Sequence, residues 1–384
     1  QGWEIAEFEK CLEKVTYTNK IQRKDFKEDG IYPIVSQEND FINGYWDNEE
    51  DLFKVDKPVV IFGDHTQVIK FIDFDFVLGA DGVKILKPKD KIDSKYFYYF
   101  LQNVDLGSLG YARHYRLLKE INIAYPKSLP EQQRIVSILD EAFAAIAKAK
   151  ANAEQNLKNA KELFESYLQG VFEKKGEGWE ERKVNEIGNA QTGTTPKTAE
   201  KENYGDFIPF IKPADVDFSG IGDIRYDNEG LSEIGLKKGR KMESGSILMV
   251  CIGATIGKVG FAEREVSCNQ QINSLTVKKE FEPKFIYYAM TSKEFQDKVL
   301  LEGKGAQATL PIINKSKWEN LTISFPKSKT EQKRFVEKFD ALSIESQKLQ
   351  EIYLKKLADL EELKKSVLQK AFAGELKTEN NIAL

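Results

Sequence analysis

The chain has 384 residues, a formal net charge of −4, and hydrophobic and charged fractions of 41% and 31%, as in an ordinary soluble globular protein. This length is sufficient for two or three domains, and no apolar run reaches the ~18 residues that a membrane helix needs. The slightly acidic balance argues mildly against a protein that coats nucleic acid nonspecifically, but it leaves room for a specific reader with local basic patches.

The cysteines and histidines carry little chemical signal. Cys11, Cys251 and Cys268 lie far apart without a Cys-x-x-Cys pair, so neither a disulfide framework nor a zinc site is indicated. His65 and His114 lack metal-ligand spacing. A cytoplasmic location is expected because a reducing compartment suits three unpaired cysteines. No signal peptide is visible, although a short leader could precede Gln1.

Residues 1–127 predict a first domain of the α+β class. Short β-rich runs broken by Gly, Asn and Asp read PVVIFG, QVIKFIDF and DGVKIL. An aromatic amphipathic stretch, Lys95–Gln102, follows them and predicts a helix. We expect a twisted sheet that carries this helix.

Residues 128–175 predict a long helix that begins with Pro130 and Glu131, a favourable first turn. Apolar positions then alternate in steps of four and three, which is the seam of a coiled coil. One extra step of four at Ala149–Ala153–Leu157 is a stutter. The side chains predicted to pack in this seam are Ile135, Leu139, Ile146, Leu157 and Phe164. About 40 helical residues make a rod of roughly 60 Å, which suits a spacer between two domains.

Residues 176–327 and 328–384 predict a second domain and a second long helix. The domain shows the β-rich runs SILMVCIG, KVGFA and INSLTV and a helix at Pro283–Thr291. Thr330 is a suitable N-cap for the long helix. Its seam is predicted to contain Phe335, Phe339, Leu349, Tyr353 and Leu360. A stutter at the equivalent place suggests that the two helices fit each other.

An internal repeat links the two halves. YPKSLPEQQRIV, beginning at Tyr125, recurs as FPKSKTEQKRFV, beginning at Phe325, and the offset of 200 persists to the end of both helices. Gly2-Trp3-Glu4 likewise recurs as Gly178-Trp179-Glu180. The period is far too long for a solenoid, so the pattern predicts a duplicated chain with pseudo-twofold symmetry.

Five short motifs in and after the second domain resemble a known family in combination. They are Gly-Thr-Thr-Pro (Gly193–Pro196), Ile-Lys-x-x-Asp (Ile211–Asp215), Thr-Ile-Gly-Lys-Val (Thr255–Val259), Asn-Gln (Asn269 and Gln270) and the Glu-Gln segment Pro326–Gln332. Together they resemble the specificity subunit of type I restriction-modification systems, the HsdS-like proteins, over essentially the whole chain. The first domain departs from this pattern, with FGDHTQV and GADGVKI at the equivalent places.

The resemblance implies two target recognition domains on an antiparallel coiled coil. Each domain would read one half of a bipartite site on double-stranded DNA, and the coiled coil would set the spacing and dock two methyltransferase (M) subunits. Translocase-nuclease (R) subunits would join the complex. The chain would be non-catalytic and hold no cofactor, whereas S-adenosylmethionine, ATP and magnesium would belong to the partner subunits. No membrane partner is implied, and self-dimerisation of the isolated chain stays open.

Candidate DNA contacts follow from the chemistry of base and phosphate recognition, which uses Arg, Asn and Gln at base edges and cations at phosphates. In the first domain they are His65, Thr66, Gln67, Arg113, His114, Arg116 and Lys119. In the second domain they are Lys237, Lys238, Arg240, Lys241, Lys258, Gln270, Gln271, Lys304 and Gln307. For the basic runs, a solvated surface is the alternative. Base choice is expected where the two halves differ most.

Two other functional classes remain as alternatives. A protein–protein scaffold, with two binding domains on a coiled-coil spacer, would suit the acidic charge but not the family motifs. A stand-alone enzyme would need catalytic motifs that this sequence lacks. Because no Pro-Pro dipeptide is present, there is no Asn/Asp-Pro-Pro-Tyr motif of an adenine methyltransferase, and Gly253–Gly260 departs from the phosphate-binding loop pattern.

Overall fold

A computed structural model describes residues 2–79, 82–107, 110, 112–216, 224–303 and 311–376. The chain forms two compact units, of which the first contains residues 1–154 and 355–384 and the second contains residues 155–354. The first long helix spans Leu129–Lys174 and the second spans Lys329–Phe372. Each unit therefore joins one domain to a segment of both helices. The domain boundaries predicted from the sequence instead treat each long helix as a segment separate from the two domains, and these boundaries stay a prediction. No helix among the described residues is long and apolar enough to cross a membrane.

The described residues of the first unit form an α+β domain with three small sheets. Its strands are β1 (Trp3–Glu7), β2 (Lys20–Ile21), β3 (Tyr32–Val35), β4 (Gly44–Trp46), β5 (Leu52–Phe53), β6 (Val59–Gly63), β7 (Ile69–Ile72), β8 (Phe76–Gly79), β9 (Val83–Leu86) and β10 (Asn122–Pro126). Its helices are α1 (Ser94–Asn103), α2 (Tyr115–Lys119), the first part of the first long helix, α3, and the last part of the second long helix, α9. The sheets have the orders β1-β10, β7-β6-β9 and β2-β8-β3-β4, and β5 also pairs with β8.

The second unit has the same kind of architecture. Its strands are β11 (Trp179–Lys183), β12 (Gly188–Thr192), β13 (Tyr204–Ile211), β14 (Gly230–Leu231), β15 (Lys241–Met242), β16 (Ile247–Val250), β17 (Val259–Phe261), β18 (Val266–Cys268), β19 (Ile272–Val277) and β20 (Thr322–Pro326). Its helices are α4 (Val184–Ile187), α5 (Glu233–Lys238), α6 (Pro283–Thr291), α7 (Lys293–Gly303), α8 (Lys315–Glu319), the last part of α3 and the first part of the second long helix, α9. The sheets have the orders β11-β20, β12-β19-β16-β17 and β14-β13-β18-β15.

The two units repeat one topology. Strand order β7-β6-β9 corresponds to β17-β16-β19, and the parallel pair β3 and β8 corresponds to β13 and β18. The recurring tryptophans have the same pairing, since Trp3 lies opposite Pro126 and Trp179 lies opposite Pro326. The predicted internal repeat and the α+β fold class are confirmed.

A buried glutamine fastens each domain to the start of a long helix. Gln132 accepts a hydrogen bond from the Asp93 amide at 2.7 Å and donates to the Pro126 carbonyl at 2.7 Å. Gln332 accepts from the Glu282 amide at 2.8 Å and donates to the Pro326 carbonyl at 2.7 Å. Both side chains are fully buried. The repeated Glu-Gln segment is therefore a structural joint, because its glutamine satisfies backbone groups that water cannot reach.

An aspartate eight residues further along each long helix makes a second joint between that helix and its domain. Asp140 accepts from the hydroxyl of Tyr99 at 2.5 Å and from the ammonium of Lys95 at 2.7 Å. Asp340 accepts in the same way from Tyr288 at 2.5 Å and from Lys284 at 2.8 Å. This pairing explains why KYFYY and KFIYY recur, since a helical Lys and Tyr four residues apart lie on one face.

These tyrosines predict a loss of stability at alkaline pH. Burial, followed by the hydrogen bond to the carboxylate, raises the pKa of Tyr99 and of Tyr288 above the ordinary value. In the unfolded chain the tyrosine hydroxyl has a pKa of about 10. Above that pH the unfolded chain therefore releases tyrosine protons that the folded chain retains. We therefore expect the free energy of unfolding to fall as the pH rises above about 10. Denaturant titrations should show a shallower fall for Tyr288→Phe than for the parent protein, and an unchanged slope would contradict the assignment.

The long helices pair in antiparallel fashion within each unit. In the first unit the Lys150 ammonium lies 2.6 Å from the Glu361 carboxylate, and Arg134 donates to the Leu376 carbonyl at 3.3 Å. In the second unit Ser346 donates to the Ala160 carbonyl at 2.6 Å. All ten predicted seam side chains are buried or half-buried, namely Ile135, Leu139, Ile146, Leu157, Phe164, Phe335, Phe339, Leu349, Tyr353 and Leu360. Of these, Ile135 and Leu139 belong to the domain core of the first unit, and Phe164 and Phe339 to that of the second.

Candidate nucleic-acid interface

In the first unit, the turn after β6 is joined to the start of α2 by a buried aspartate. The Asp64 carboxylate accepts from the Tyr115 amide at 2.8 Å, and its carbonyl accepts from the His114 amide at 2.7 Å. Lys84 lies 3.9 Å from the same carboxylate and partly offsets the cost of its burial. Two segments that are 50 residues apart in the chain therefore lie side by side.

The seven predicted contacts of the first unit have different surroundings. Thr66, Arg113 and Arg116 are exposed, and His65 and Gln67 are half-buried. Within the described residues, the side chain of neither arginine has an ion pair or hydrogen bond. The Lys119 ammonium lies 2.7 Å from Glu9, and His114 is buried with a ring nitrogen 3.2 Å from the Asp64 carbonyl. The arginines are thus available to an outside ligand, whereas His114 supports the turn from beneath.

Sequence reasoning missed two residues that shape this surface, Asp64 and Gln37. The Gln37 side chain accepts from the His65 amide at 3.2 Å, and its carbonyl accepts from the Thr66 hydroxyl at 2.6 Å. It lies against Gly82, where φ is +90° and an added Cβ would come within 2.6 Å of the Gln37 amide oxygen. Only glycine fits there. The Asp-Gly pair in GADGVKI was the available signal, but the sequence does not show which side chain approaches it.

In the second unit, the family motifs pack against one another. The Thr194 amide donates to the Cys268 carbonyl at 2.9 Å, and Thr195 donates to the side-chain oxygen of Gln270. A Cβ on Gly193 would come within 2.1 Å of the Asn269 carbonyl oxygen, so this approach of two backbones requires glycine. The Gly-Thr-Thr-Pro and Asn-Gln motifs are therefore two sides of one loop contact.

Most basic candidates of the second unit already have partners. Lys238 lies 2.8 Å from Glu200 and Lys241 lies 2.8 Å from Glu265, while Arg240 donates to the Thr192 carbonyl at 2.6 Å. Other polar candidates are also held: Lys258 donates to the Val216 carbonyl at 3.0 Å, and Gln271 accepts from Asn269 at 3.0 Å. Lys237 is exposed and has no partner in the part of the chain that the structure describes. Lys304 and Gln307 lie outside the described residues.

The described residues show neither a metal-ligand cluster nor a cysteine whose thiol pKa is lowered. They contain no group of three or more His, Cys, Asp and Glu side chains placed to hold a metal ion. Cys251 and Cys268 are buried, and burial raises the pKa of each thiol to about 12. Both therefore stay protonated near neutral pH and are poor nucleophiles.

A family model for the type I restriction modification DNA specificity domain matches residues 2–158 and 176–354. The chain belongs to this specificity family. The two matched segments correspond to the two repeats of the fold, so the chain contains two target recognition domains of this family. The predicted family is thereby confirmed.

Individual relatives agree with this assignment. The specificity subunit of the type I restriction enzyme EcoR124I/EcoR124II from Escherichia coli is 27% identical over 343 residues, which cover 84% of this chain and 83% of that protein. The HindI specificity subunit from Haemophilus influenzae is 31% identical over 183 residues, which cover 46% of this chain and 39% of that protein.

Solved structures share the fold at lower identity. A chain from a structural study of assembly and conformational transition in the type I R-M system has a TM-score of 0.72 at 17% identity, with 98% of each chain covered. The HsdS subunit from Thermoanaerobacter tengcongensis has a TM-score of 0.57 at 16% identity, with 98% of this chain and 97% of that chain covered.

Proposed function

We propose that this chain is the DNA specificity subunit of a type I restriction-modification complex. Each of its two units reads one half of a bipartite site on double-stranded DNA, and the paired long helices set the spacing. Two major-groove readers on one face of B-DNA should lie about one helical turn, ~10 bp, apart, which a helical spacer can fix. The base pairs between the half-sites are then left unread.

The repeat of the joints is the observation that carries this proposal. Gln132 and Gln332 fasten their domains to the long helices through the same kind of hydrogen bonds. The loops near the strand ends differ: in the first unit Asp64 and Gln37 hold the turn after β6, whereas in the second unit the Gly-Thr-Thr-Pro and Asn-Gln motifs contact each other. Two domains that are attached to the long helices in the same way, but that carry different loops, suit the recognition of two different half-sites.

The partners follow from this role. Two methyltransferase (M) subunits dock on the chain, and translocase-nuclease (R) subunits complete the complex. The specificity chain contributes no catalytic residue, and S-adenosylmethionine, ATP and magnesium are held by the partner subunits. Within a cell, the expected location of such a complex is the cytoplasm, where it meets DNA.

Selection on randomised duplex DNA tests the proposal. The chain, with its methyltransferase partner, should enrich two short blocks at one fixed separation of about a helical turn. One contiguous block would mean that one unit does not read DNA. No enrichment, even with the partner present, would favour a protein–protein scaffold.

Arg113 and Arg116 provide a residue-level prediction. A bidentate arginine–guanine contact contributes about 1–3 kcal/mol of discrimination, so Arg113→Ala or Arg116→Ala should relax one position of one half-site roughly tenfold to a hundredfold. The other half-site should be unaffected. Lys10→Ala is the matched control, because Lys10 is a basic residue of the same unit that is ion-paired with Glu7 and is not among the candidate contacts. Equal weakening on all sequences, with a reduced salt dependence, would instead identify phosphate contacts.

A further inference from the structure

The loop between β3 and β4 in the first unit has a closed neck. Ser36 is buried at its start, and the Ser36 amide donates to the side-chain oxygen of Asn43 at 2.8 Å. The Asn43 amide donates back to the Ile34 carbonyl at 2.9 Å. Residues 37–42 therefore project from a fixed base, and we name Ser36–Asn43 the neck loop.

A buried lysine from another strand holds the neck loop from beneath. The ammonium of Lys70, on β7, donates to the Asp40 carbonyl and to the Asn43 side-chain oxygen, the latter at 3.1 Å. Lys70 is 4% exposed, and burial lowers its pKa to about 8, although Glu38 and Asp40 oppose that shift. Burying a cation is costly unless hydrogen bonds compensate. Both of these acceptors belong to the neck loop, so the lysine serves the shape of that loop.

The neck loop is also continuous with the surface already described. Gln37, its second residue, accepts hydrogen bonds from His65 and Thr66 of the turn after β6. The same turn is joined through Asp64 to the start of α2, with Arg116 on that helix and Arg113 two residues before it. Three segments that are remote in the chain thus form one connected surface.

The chemistry of the neck loop suits base edges better than phosphates. Asn39 and Asp40 are exposed, as are Phe41 at 51% and Ile42 at 38%. Within the described residues the Asn39 side chain has no hydrogen-bond partner. Asparagine pairs with adenine, carboxylates accept from the cytosine amino group, and apolar groups contact the thymine methyl. Two acidic residues would be repelled by phosphates, and the Glu38 carboxylate is already 3.1 Å from Arg23.

The corresponding segment of the second unit is built differently. After β13, Pro213–Asp215 forms a short 3-10 turn in which Asp215 accepts from the Lys212 amide at 2.8 Å. That turn replaces the neck of Ser36 and Asn43. Two readers with different targets should differ where they meet the bases, and the two units differ here.

We propose that the neck loop is a specificity-determining element of the first unit, with Asn39 and Phe41 facing base edges and Lys70 as the positioning residue. This inference rests on the proposed DNA-reading function. Its ligand is one half of a duplex DNA site.

Position-resolved selection with the methyltransferase complex tests this inference. Asn39→Ala and Phe41→Ala should each reduce base preference about tenfold at one or two positions of a single half-site. Preference at the other half-site should remain as in the parent protein. The matched controls are Asn122→Ala and Ile31→Ala, which replace exposed side chains elsewhere in the first unit and should change neither half-site.

Lys70→Met tests positioning, because it removes the ammonium and keeps a long side chain. It should relax the same half-site positions as the loop variants while the second half-site keeps its preference. A melting curve and the intact second half-site separate this result from general unfolding.

Three outcomes would overturn the inference. One is unchanged preference in Asn39→Ala and Phe41→Ala, and another is equal weakening on every sequence, which indicates phosphate contact. The third is relaxation by Lys70→Met at positions that the loop variants leave alone. If the parent complex itself enriches no sequence, the proposed function fails first, and that result is distinct from these three.

Discussion

Replacing Gln132 with alanine is expected to lower the free energy of unfolding of the first unit by about 3 kcal/mol. The side chain is fully buried, and it bonds to the Asp93 amide and to the carbonyls of Pro126 and Lys91 at 2.7, 2.7 and 3.0 Å. Alanine leaves these backbone groups buried without a partner, and each such group costs about 1–3 kcal/mol. Gln332→Ala should act in the same way on the second unit.

The neighbouring residues provide matched controls for this prediction. Gln133 and Lys333 are exposed on the same turns of the long helices. Gln133→Ala and Lys333→Ala should therefore change stability by less than about 0.5 kcal/mol. Thermal or denaturant unfolding of the four variants gives the comparison. Equal effects at the buried and exposed positions would contradict the role of the glutamine as a joint.

Phe339→Ala should have the largest effect in the second unit, with a loss of about 3–5 kcal/mol. Phe339 is fully buried, and its ring centroid lies 4.9 Å from Tyr288, 5.9 Å from Tyr167 and 6.1 Å from Phe335. Truncation removes the apolar contact and leaves a cavity among aromatic rings that cannot easily close.

Ile344→Ala is the control for Phe339→Ala, since Ile344 lies on the same helix and is 52% exposed. Amide hydrogen exchange should show the loss of protection in residues of the second unit for Phe339→Ala and little change for Ile344→Ala. A Phe339→Ala variant as stable as its control would mean that the aromatic cluster repacks without cost.

Much of the architecture could be predicted from the sequence because its signals are local or periodic. The seam of alternating four- and three-residue steps predicted both long helices, and the exact offset of 200 predicted the shared topology. The Pro283–Thr291 helix was also predicted with its bounds, since proline at the first position and an aromatic stripe mark it clearly.

The candidate interface was less accessible to sequence reasoning because it depends on contacts between remote segments. Asp64 caps a helix that begins 51 residues later, and nothing in FGDHTQV indicates that partner. Lys70 lies in a β-rich run, where a lysine normally faces solvent, yet it is buried under the neck loop. The basic run Lys237–Lys241 looked like a phosphate site, but two of its lysines are held by glutamates that are 24 and 38 residues away.

The first unit is formed by two separate parts of the chain, and this has a consequence for folding during synthesis on the ribosome. Its core includes Leu368 and Ala371 from the end of α9, and the ring of Phe372 lies 5.3 Å from Tyr96 and 5.4 Å from Phe100. The second unit, by contrast, is one uninterrupted stretch of residues 155–354. A nascent chain therefore contains every residue of the second unit before the first unit can close its core. Until then, the N-terminal domain exposes the apolar surface that the end of α9 later covers. The core of the first unit is therefore completed last, although its N-terminal residues are synthesised first.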